Sequence, residues 1–402
     1  MQNHFFNVII PTRNRLEALR HSLRTVLNQD YENYKIIVSD NFSSDGTREF
    51  VASLNSKKVE YFNTGRSLSM SSNYEFALSK ISEGFVIQIG DDDGLLPSAL
   101  KDINNIINKE RILAISSATV IYYWPGASPY EDLLMIPRRK KHIERRRPSK
   151  FLNKILKGEC NYSELPMLYT GGVVHSSLIE KARKDGNKFY NSMTPDVYSA
   201  MAIASVVDEY IRLERPFAIS GLSRFSNGQS QLGLNKDSSI AQNFFQENDI
   251  PFYPALGDGR MKSLHMLILE AYVQSAFLRN CEDINFHKQF EIAIARATGG
   301  LRTEIRVYLR QNCDFNTEFP SANWWRISAL IISSYFKGIF RRIINITDWD
   351  MVLVKGKINN VYEASNYVST VKFGLVKSVS YRLIYKIKRK IKSRTAYDRS
   401  SA

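Results

Sequence analysis

Residues 87–97 read IQIGDDDGLLP, so an apolar run ends at three adjacent aspartates, Asp91, Asp92 and Asp93. Like charges repel one another and aspartate is unfavourable in strands, so a buried strand that ends in this way needs a compensating interaction. A divalent cation would provide one. The alternative is a solvated turn that leads into a helix opened by Pro97.

The first 125 residues alternate between strand-like runs and helical patterns. FNVII, YKIIVSD and GFVIQIG have the composition of buried strands. Between the first two runs, apolar residues recur at helical spacing: Leu16, Leu19, Leu23, Val26 and Leu27. Repeated β-α units predict an α/β fold, with a mostly parallel sheet and helices on both of its faces. Ligands of such sheets bind beyond the carboxyl ends of the strands, so Asp40 and the three aspartates are expected to face one crevice.

Acids on both sides of a crevice suggest a nucleotide site that contains a metal. A diphosphate is negatively charged, and carboxylates alone would repel it. A bridging Mg²⁺ or Mn²⁺, held by one or two carboxylates together with phosphate oxygens, reverses that repulsion. The sequence therefore predicts Mn²⁺ or Mg²⁺ as the cofactor.

Four motifs follow one another across residues 6–100: VIIPTRNR, IIVSDNFSSDGT, SMSSNYEFAL and VIQIGDDDGLLP. In this order and spacing they resemble the motifs of family 2 glycosyltransferases, which have the GT-A fold, and the resemblance continues more weakly to about residue 230. It implies metal-dependent, inverting transfer of a sugar from a nucleotide-diphosphate sugar to a glycan acceptor. By the same resemblance, the product would be a bacterial surface polysaccharide.

The resemblance also implies roles for individual residues. Asp40 would contact the nucleotide base, Asp91 the ribose, and Asp92, five residues before Pro97, the metal. Gly90 stands where the commoner DxDD form has its first acid, so Asp93 stays a second candidate metal ligand. The residues expected to bind the nucleotide sugar are Pro11, Thr12, Arg13, Asp40, Arg66, Asn73, Asp91 and Asp92.

An inverting transfer needs a base that removes the proton of the acceptor hydroxyl. The family keeps an acid for this near the end of its catalytic domain, and Asp196 in NSMTPDVYSAMAIAS matches that position. Thr194 is the expected N-cap and Pro195 the first helical residue. Alternatively, Asp196 only complements the helix dipole, which would also lower its pKa. Asp208 and Glu209 are the fallback acids.

Three other polar residues have two interpretations each. His175, in LYTGGVVH, is expected to be a structural histidine rather than a second base, and the small residues before it would leave room for an acceptor sugar. Arg66 and Arg224 would clamp the diphosphate, or are ordinary surface cations.

The net charge of +15 is unevenly distributed. A basic cluster, RRKKHIERRR at 138–147, and the segment VKFGLVKSVSYRLIYKIKRKIKSR at 371–394 carry many of the cations. The second segment has an apolar stripe at helical spacing, which is typical of a helix lying on an anionic membrane. Its alternative is a helix docked on the main domain. We therefore divide the chain into a GT-A domain (1–230), a helical region (231–325) and a basic, amphipathic C-terminal segment (326–402).

The amino terminus lacks the pattern of a signal peptide, and no apolar run reaches the length of a membrane span. Three scattered cysteines suit a reducing compartment. We expect a cytoplasmic protein that is peripheral on the inner membrane, with a lipid-linked saccharide as its acceptor. The competing hypotheses are a nucleic-acid-binding protein and a catalytically inactive GT-A scaffold, each using the basic patches; an acidic crevice disfavours the first.

Overall fold

The fold was obtained as a computed structural model of the 402-residue chain. It describes residues 2–127, 132–137, 143–185, 187–223, 238–259, 263–279, 284–297, 300–313, 327–332, 349–354 and 356–370.

The strands, in chain order, are β1 (Phe6–Thr12), β2 (Tyr34–Asp40), β3 (Val59–Asn63), β4 (Phe85–Gln88), β5 (Gly94–Leu95), β6 (Ala114–Ser117), β7 (Val120–Tyr123), β8 (Leu133–Pro137), β9 (Ile143–Arg146), β10 (Gly172–His175), β11 (Tyr210–Leu213), β12 (Ala218–Leu222) and β13 (Trp349–Leu353). The helices are α1 (Leu16–Leu27), α2 (Thr47–Ser53), α3 (Met70–Leu78), α4 (Ala99–Glu110), α5 (Pro148–Leu156), α6 (Ser176–Lys181), α7 (Pro195–Val206), α8 (Ser238–Gln246), α9 (Leu264–Gln274), α10 (Phe286–Arg296), α11 (Leu301–Asn312) and α12 (Val361–Thr370).

The larger sheet has eight strands in the order β3-β2-β1-β4-β10-β6-β11-β9. Its first four strands are parallel, and β10 runs antiparallel to both of its neighbours. Every residue of β1 is buried, because alternate side chains enter two cores. Val8 and Ile10 pack on the side of α1 and α4, whereas Ile9 packs on the side of α3 and α7. The predicted α/β class, with helices on both faces of a mostly parallel sheet, is confirmed.

A second sheet has the order β13-β8-β7-β12-β5. The run ILAISSATVIYY at 112–123 has a composition that predicts a single strand. The structure has two strands there: β6 belongs to the larger sheet and β7 to the smaller one. The run is divided because its parallel partners lie in different sheets. Strand β6 pairs with β11 in the larger sheet, and β7 pairs with β12 in the smaller one. The two-residue strand β5 pairs with β12, so the chain just after the three aspartates is held by this second sheet.

Within the region predicted to be helical (231–325), the described residues between 238 and 313 lie mainly in helices. Its helices α9, α10 and α11 share one apolar core. However, Ile268 and Ala271 of α9 lie in the core of the larger sheet, and α9 packs against α7. This helical region is therefore packed onto the sheet domain.

The part of the C-terminal segment that the structure describes is also packed onto that domain. Strand β13 pairs with β8, and α12 contacts α1 and β5. The amphipathic stretch 371–394 lies outside the described residues. Within the described ranges, no helix is both long and apolar enough to cross a membrane.

The structure describes residues 143–147 of the basic cluster at 138–147. Residues 143–146 form β9, an edge strand that pairs with β11. Arg146 forms ion pairs with Glu144 and Glu164, and Arg145 forms an ion pair with Glu209. Acids of the chain therefore already neutralise these two arginines.

Candidate active site

The loop between β1 and α1 is tied to the loop that follows β2. Asn14 has a φ of 51°, and its side-chain oxygen accepts a hydrogen bond of 2.8 Å from the backbone N–H of Ser44. At the start of α1, the N–H of Leu16 donates to Oδ2 of Asp45 at 2.8 Å, and the Thr47 hydroxyl donates to the other oxygen of Asp45. These bonds fix the positions of PTRNR and SDNFSSDGT relative to each other.

Thr12 and Asp40 end neighbouring strands and are paired in register. Asp40 is fully buried. Its carboxylate accepts hydrogen bonds from the N–H of Ser43, the phenol of Tyr61 and the amide of Asn63. Burial, together with the hydrogen bond to Asp40, raises the pKa of Tyr61 to about 12. Asp40 lies at the predicted strand end, but its side chain does not line the cleft described below.

The three aspartates that follow β4 are buried, with exposures of 3%, 4% and 1%. The alternative of a solvated turn is therefore wrong. Asp91 accepts a hydrogen bond of 2.8 Å from the Thr12 hydroxyl at Oδ2. Asp92 accepts one of 2.7 Å from the Ser223 hydroxyl, also at Oδ2. Both carboxylates line the cleft.

Asp93 differs from its two neighbours because its carboxylate is held by two backbone N–H groups and a hydroxyl, whereas Asp91 and Asp92 both pair with Arg15. Oδ1 accepts from the N–H of Gly221 at 2.7 Å, and Oδ2 accepts from the N–H of Gly90 at 2.8 Å and from the Thr170 hydroxyl. Its side chain does not line the cleft. These hydrogen bonds hold the turn in place. Because they occupy both oxygens, Asp93 is a less suitable metal ligand than Asp92.

Arg15 is a site residue that the sequence analysis missed. Its Nη1 lies 2.8 Å from Oδ1 of Asp91, and its Nη2 lies 2.6 Å from Oδ2 of Asp92. Although burial opposes it, the charges of these two acids raise the pKa of the guanidinium above its usual value. The signal was present in the motif PTRNR, but the sequence could not show which acids this arginine meets.

Burial also changes the acids themselves. It raises the pKa of Asp91, which the charge of Asp92 raises further and the Arg15 guanidinium lowers in part. The pKa of Asp93 is raised for the same two reasons, burial and the neighbouring Asp92. A buried pair of acids favours any cation that can stay beside it.

Asp196 lies in the first turn of α7, after Pro195 in the first helical position, as predicted. The expected N-cap, Thr194, makes no capping hydrogen bond through its side chain. The phenol of Tyr162 donates to Oδ2 of Asp196 at 2.7 Å. Burial raises the pKa of Asp196, only partly opposed by that hydrogen bond. The net direction is opposite to the lowering expected from the helix dipole, because burial is the largest cause of the change in this pKa.

The other candidate acids and bases lie elsewhere. Asp208 and Glu209 follow the far end of α7, and Glu209 is paired with Arg145. His175 precedes α6, where its Nδ1 accepts a hydrogen bond from the N–H of Ser177. None of the three lines the cleft, and the position of His175 agrees with a structural role.

The glycines of LYTGGVVH do not leave space for a ligand. A Cβ at Gly172 would lie 1.8 Å from the backbone oxygen of Met167, so the residue is small because the chain packs against itself there. Tyr169, from the same motif, does line the cleft. Arg66 is exposed and does not line it, and Arg224 lies outside the described residues.

The cleft that joins these groups has a volume of about 790 Å³. Of the residues predicted to act at the site, it brings together Pro11, Thr12, Arg13, Asn73, Asp91, Asp92 and Asp196. Asn73 is fixed by the Ser39 hydroxyl, which donates to its side-chain oxygen at 2.8 Å. Among the described residues, no group of three or more His, Cys, Asp or Glu side chains is arranged to hold a metal ion by itself.

The helical region also contributes to the cleft, which the sequence analysis did not foresee. Phe244, Glu247, Leu264 and Leu267 line it opposite the strand ends. Glu247 forms an ion pair of 2.8 Å with Arg13, in which each side chain is a little over one-third exposed. The cleft is thus closed on one side by residues far from the four sequence motifs.

The chain is similar in sequence to known glycosyltransferases over part of its length. Residues 7–162 match the family described as Glycosyl transferase family 2. A GalNAc(5)-diNAcBac-PP-undecaprenol beta-1,3-glucosyltransferase of Campylobacter jejuni is 35% identical over 106 residues, which is 26% of this chain and 34% of the relative. A glycosyl transferase of Escherichia coli K12 named for colanic acid biosynthesis, WcaA, is 25% identical over 100 residues, which is 24% of this chain and 36% of the relative.

Among solved structures, S. aureus TarS 1–349 in complex with UDP aligns with a TM-score of 0.45 and 14% identity, covering 77% of this chain and 87% of TarS 1–349. The chain spans about a third of the length of the curated relatives it matches. The α/β sheet with acids at its edge agrees with a match to a glycosyltransferase family. The matched residues 7–162 include the four motifs that indicated this family.

Proposed function

We propose that this protein transfers a sugar from a nucleotide-diphosphate sugar to a glycan acceptor, with inversion at the anomeric carbon. The observation that supports this most directly is that Asp91, Asp92 and Asp196 line one cleft of about 790 Å³. A volume of this size is in the range of small-molecule sites. The acids at the strand ends would serve the donor, and Asp196 the acceptor.

Asp196 is the proposed base. Its pKa is raised by burial, which makes its carboxylate a better proton acceptor than a solvated aspartate. The acceptor hydroxyl would lose its proton to Asp196 as it attacks the anomeric carbon from the face opposite the leaving diphosphate. Tyr162, which donates to Oδ2 of Asp196, would hold the carboxylate in one orientation and leave Oδ1 toward the acceptor.

The donor nucleotide is proposed to bind along Pro11, Thr12, Arg13 and Asn73, which line the cleft at the end of β1 and in α3. Asp40 stays our candidate for the nucleotide base, because it ends β2 beside Thr12. Arg66 is exposed and outside the cleft, so its proposed contact with the diphosphate needs the donor to extend beyond the described lining.

The donor set suits a hard divalent cation, since Asp91 and Asp92 offer only oxygen atoms. Mg²⁺ sites of this kind use one or two carboxylates and take their other ligands from water and substrate phosphates. Asp92 would hold Mn²⁺ or Mg²⁺, with Asp91 beside it. When bound, the ion would neutralise the charge that develops on the leaving diphosphate.

The acceptor is proposed to be a lipid-linked saccharide of a bacterial surface polysaccharide. Two observations support this: the name of the Campylobacter relative contains PP-undecaprenol, and residues 371–394 carry nine Lys or Arg and no acid. A basic amphipathic segment of this kind binds anionic lipid surfaces. We therefore propose that the protein acts at the cytoplasmic face of the membrane.

A thermal-shift screen tests the donor assignment. UDP, GDP, dTDP and CMP sugars are each added with Mn²⁺, and a sugar nucleotide that binds only the native protein raises the melting temperature. With the donor identified, Asp196→Asn should keep that shift and lose transfer to the acceptor. Full turnover by Asp196→Asn would mean that the base is another residue.

Cosedimentation with phosphatidylglycerol vesicles tests the membrane assignment. The full chain should sediment with them at low salt, and a chain that ends at residue 370 should stay in solution with an unchanged melting temperature. Sedimentation of the shorter chain would show that the anchor lies elsewhere.

A further inference from the structure

Arg15 has a relationship to the two acids of the cleft that the proposed function does not use. Its two terminal nitrogens each take one carboxylate, at 2.8 Å for Asp91 and 2.6 Å for Asp92. The same Nη2 also donates to the Ser223 hydroxyl at 2.8 Å. The Arg15 guanidinium therefore compensates the negative charge of Asp91 and Asp92. The sequence had suggested a metal ion for this role.

We propose that Arg15 is an exchangeable counter-ion of Asp91 and Asp92, and that its guanidinium and a divalent cation compete for the same carboxylate oxygens. This inference rests on the proposed function, because it takes the metal-dependent donor site as given. It adds that the apoprotein carries its own cation there, so that Mn²⁺ alone binds weakly.

The oxygen atoms already in use support the competition. On Asp91, Oδ1 faces Arg15 and Oδ2 accepts from Thr12. On Asp92, Oδ2 faces both Arg15 and Ser223. Charge-assisted hydrogen bonds between a guanidinium and carboxylates are among the stronger polar interactions in proteins. A metal ion that binds Asp91, or Oδ2 of Asp92, must replace at least one of these interactions, and water ligands alone compensate poorly for that loss.

The donor changes this balance, because it brings phosphate oxygens that complete the coordination of the metal and also attract the displaced arginine. Arg15 itself lines the cleft, so its guanidinium can move from the acids to the diphosphate without leaving the site. Its Nε is buried and has no hydrogen-bond partner in the part of the chain that the structure describes. This unsatisfied donor makes the present position of Arg15 less than optimal, which favours exchange.

The backbone at Arg15 is compatible with such a movement. Arg15 is the N-cap residue of α1, and its carbonyl accepts the first helical hydrogen bond, from Leu19 at 3.0 Å. The neighbouring N–H of Leu16 is held by Asp45. Because these bonds involve the backbone of the loop and helix, the side chain of Arg15 can change partners while α1 stays in place.

A Mn²⁺ titration of the full chain without any nucleotide tests the competition. Free Mn²⁺ is followed by electron paramagnetic resonance for the wild type, Arg15→Gln, Arg15→Lys and Arg20→Gln. Arg20→Gln is the matched control, since Arg20 lies on the same helix, is exposed and stacks on Phe50 away from the acids. It removes the same charge but leaves the ion pairs intact.

We expect Arg15→Gln to bind Mn²⁺ at least tenfold more tightly than the wild type, and Arg20→Gln to bind it as the wild type does. Unchanged or weaker Mn²⁺ binding by Arg15→Gln would overturn the inference, as would an equal gain in Arg20→Gln. If Arg15→Gln fails to fold, the Mn²⁺ affinity of Arg15→Lys tests the proposal instead. Lysine keeps one charge but cannot contact both acids in the same way, so Mn²⁺ should bind more tightly and raise the melting temperature more than in the wild type.

This titration contains no donor, so its outcome is separate from that of the proposed function. Failure of the proposed function would appear instead as the absence of any nucleotide sugar that stabilises or is consumed by the wild-type protein. A wild type that transfers sugar equally well in EDTA, with no Mn²⁺ bound by any of the four proteins, would overturn the competition while leaving glycosyl transfer intact.

Discussion

The phenol of Tyr162 donates a hydrogen bond of 2.7 Å to Oδ2 of Asp196, and burial raises the pKa of both side chains. Tyr162 lies in a short helical turn before β10, whereas Asp196 begins α7. This single bond therefore connects two separate elements of the cleft. Because Tyr162→Phe removes only the hydroxyl, it tests the role of Asp196 as the proposed base while the Asp196 side chain stays in place.

Tyr162→Phe should shift the acidic limb of the pH profile of kcat/KM to higher pH. The Tyr162 hydroxyl stabilises the charged form of Asp196, so its loss raises a pKa that burial has already raised. A base must be deprotonated, and activity is lost as the pH falls through its pKa. We expect a shift of about one pH unit, since one hydrogen bond to a charged group contributes about 1.5–3 kcal/mol.

Tyr31→Phe is the matched control. It removes a phenol that donates to the backbone oxygen of His4 at 2.6 Å, outside the cleft. Its pH profile should coincide with that of the wild type. A Tyr162→Phe limb that stays in place, or moves to lower pH, would contradict the assignment of Asp196 as the base.

Glu270→Gln should make the protein less sensitive to alkaline pH. Glu270 is fully buried in α9, and burial raises its pKa to about 7, although hydrogen bonds from Ser192 and Gln274 oppose this. A carboxyl whose pKa is higher in the folded than in the unfolded protein stabilises the fold at low pH. That stability is lost as the pH rises from about 4.3 to about 7.

The glutamine variant lacks this loss, so it should exceed the wild type in stability by on the order of 3 kcal/mol at pH 8 and match it near pH 4. Urea unfolding at a series of pH values measures the difference. Glu17→Gln, at a side chain that is 84% exposed, is the control and should show no such trend. A Glu270→Gln protein that is equally destabilised at every pH would mean that the pKa of Glu270 does not change on folding.

Glu247→Ala should strengthen donor binding several-fold. Glu247 neutralises Arg13, which we expect to bind the nucleotide sugar, and it places a negative charge on a cleft meant for a diphosphate. Its removal frees one cation and removes one repulsive charge. Because the pair is partly exposed, the free energy of unfolding should change by less than about 1 kcal/mol.

Calorimetric titration with the donor found by thermal shift measures the effect, and it should shrink as salt is added. Asp30→Ala is the control, since Asp30 pairs with Lys101 at 2.7 Å on an exposed surface. Weaker donor binding by Glu247→Ala would show that Glu247 holds the closed side of the cleft in place rather than competing with the donor.

Substitutions of the adjacent residues Asp92 and Asp93 should have different effects on stability and on donor binding. Asp93→Ala leaves the backbone N–H groups of Gly90 and Gly221 without their acceptor, so it should destabilise the protein by on the order of 3 kcal/mol. Asp92→Asn keeps the size of the side chain and should abolish Mn²⁺-dependent donor binding with a smaller loss of stability. Urea unfolding and calorimetry, applied to both variants, measure the two effects. The reverse pattern would make Asp93 the metal ligand.

The part of the site that was predictable from the sequence is the part that local pattern determines. Thr12 and Asp91 lie at strand ends, Asn73 and Asp196 lie in the first turns of helices, and strand-end loops of a parallel sheet meet at one edge. Such residues are placed by the periodicity of their own segment. Their convergence on one cleft then follows from the topology of the sheet.

The rest of the site depends on pairings between distant segments. Arg15 meets Asp91 and Asp92 about 76 residues later, and Ser223 reaches Asp92 from a separate strand end. Glu247 approaches Arg13 from the helical region. No local periodicity encodes such contacts, because they are fixed by how complete elements pack. For the same reason, one predicted strand at 112–123 proved to be two.

The strand β5, just after the three aspartates, is supported by residues from the far end of the described chain. Ser365 of α12 donates to the backbone oxygen of Leu95 at 2.7 Å, and a Cβ at Gly94 would lie 3.1 Å from Val361. During synthesis, the ribosome releases the acidic turn some 270 residues before its support. The turn that carries the three aspartates therefore gains this support only after residue 365 has left the ribosome.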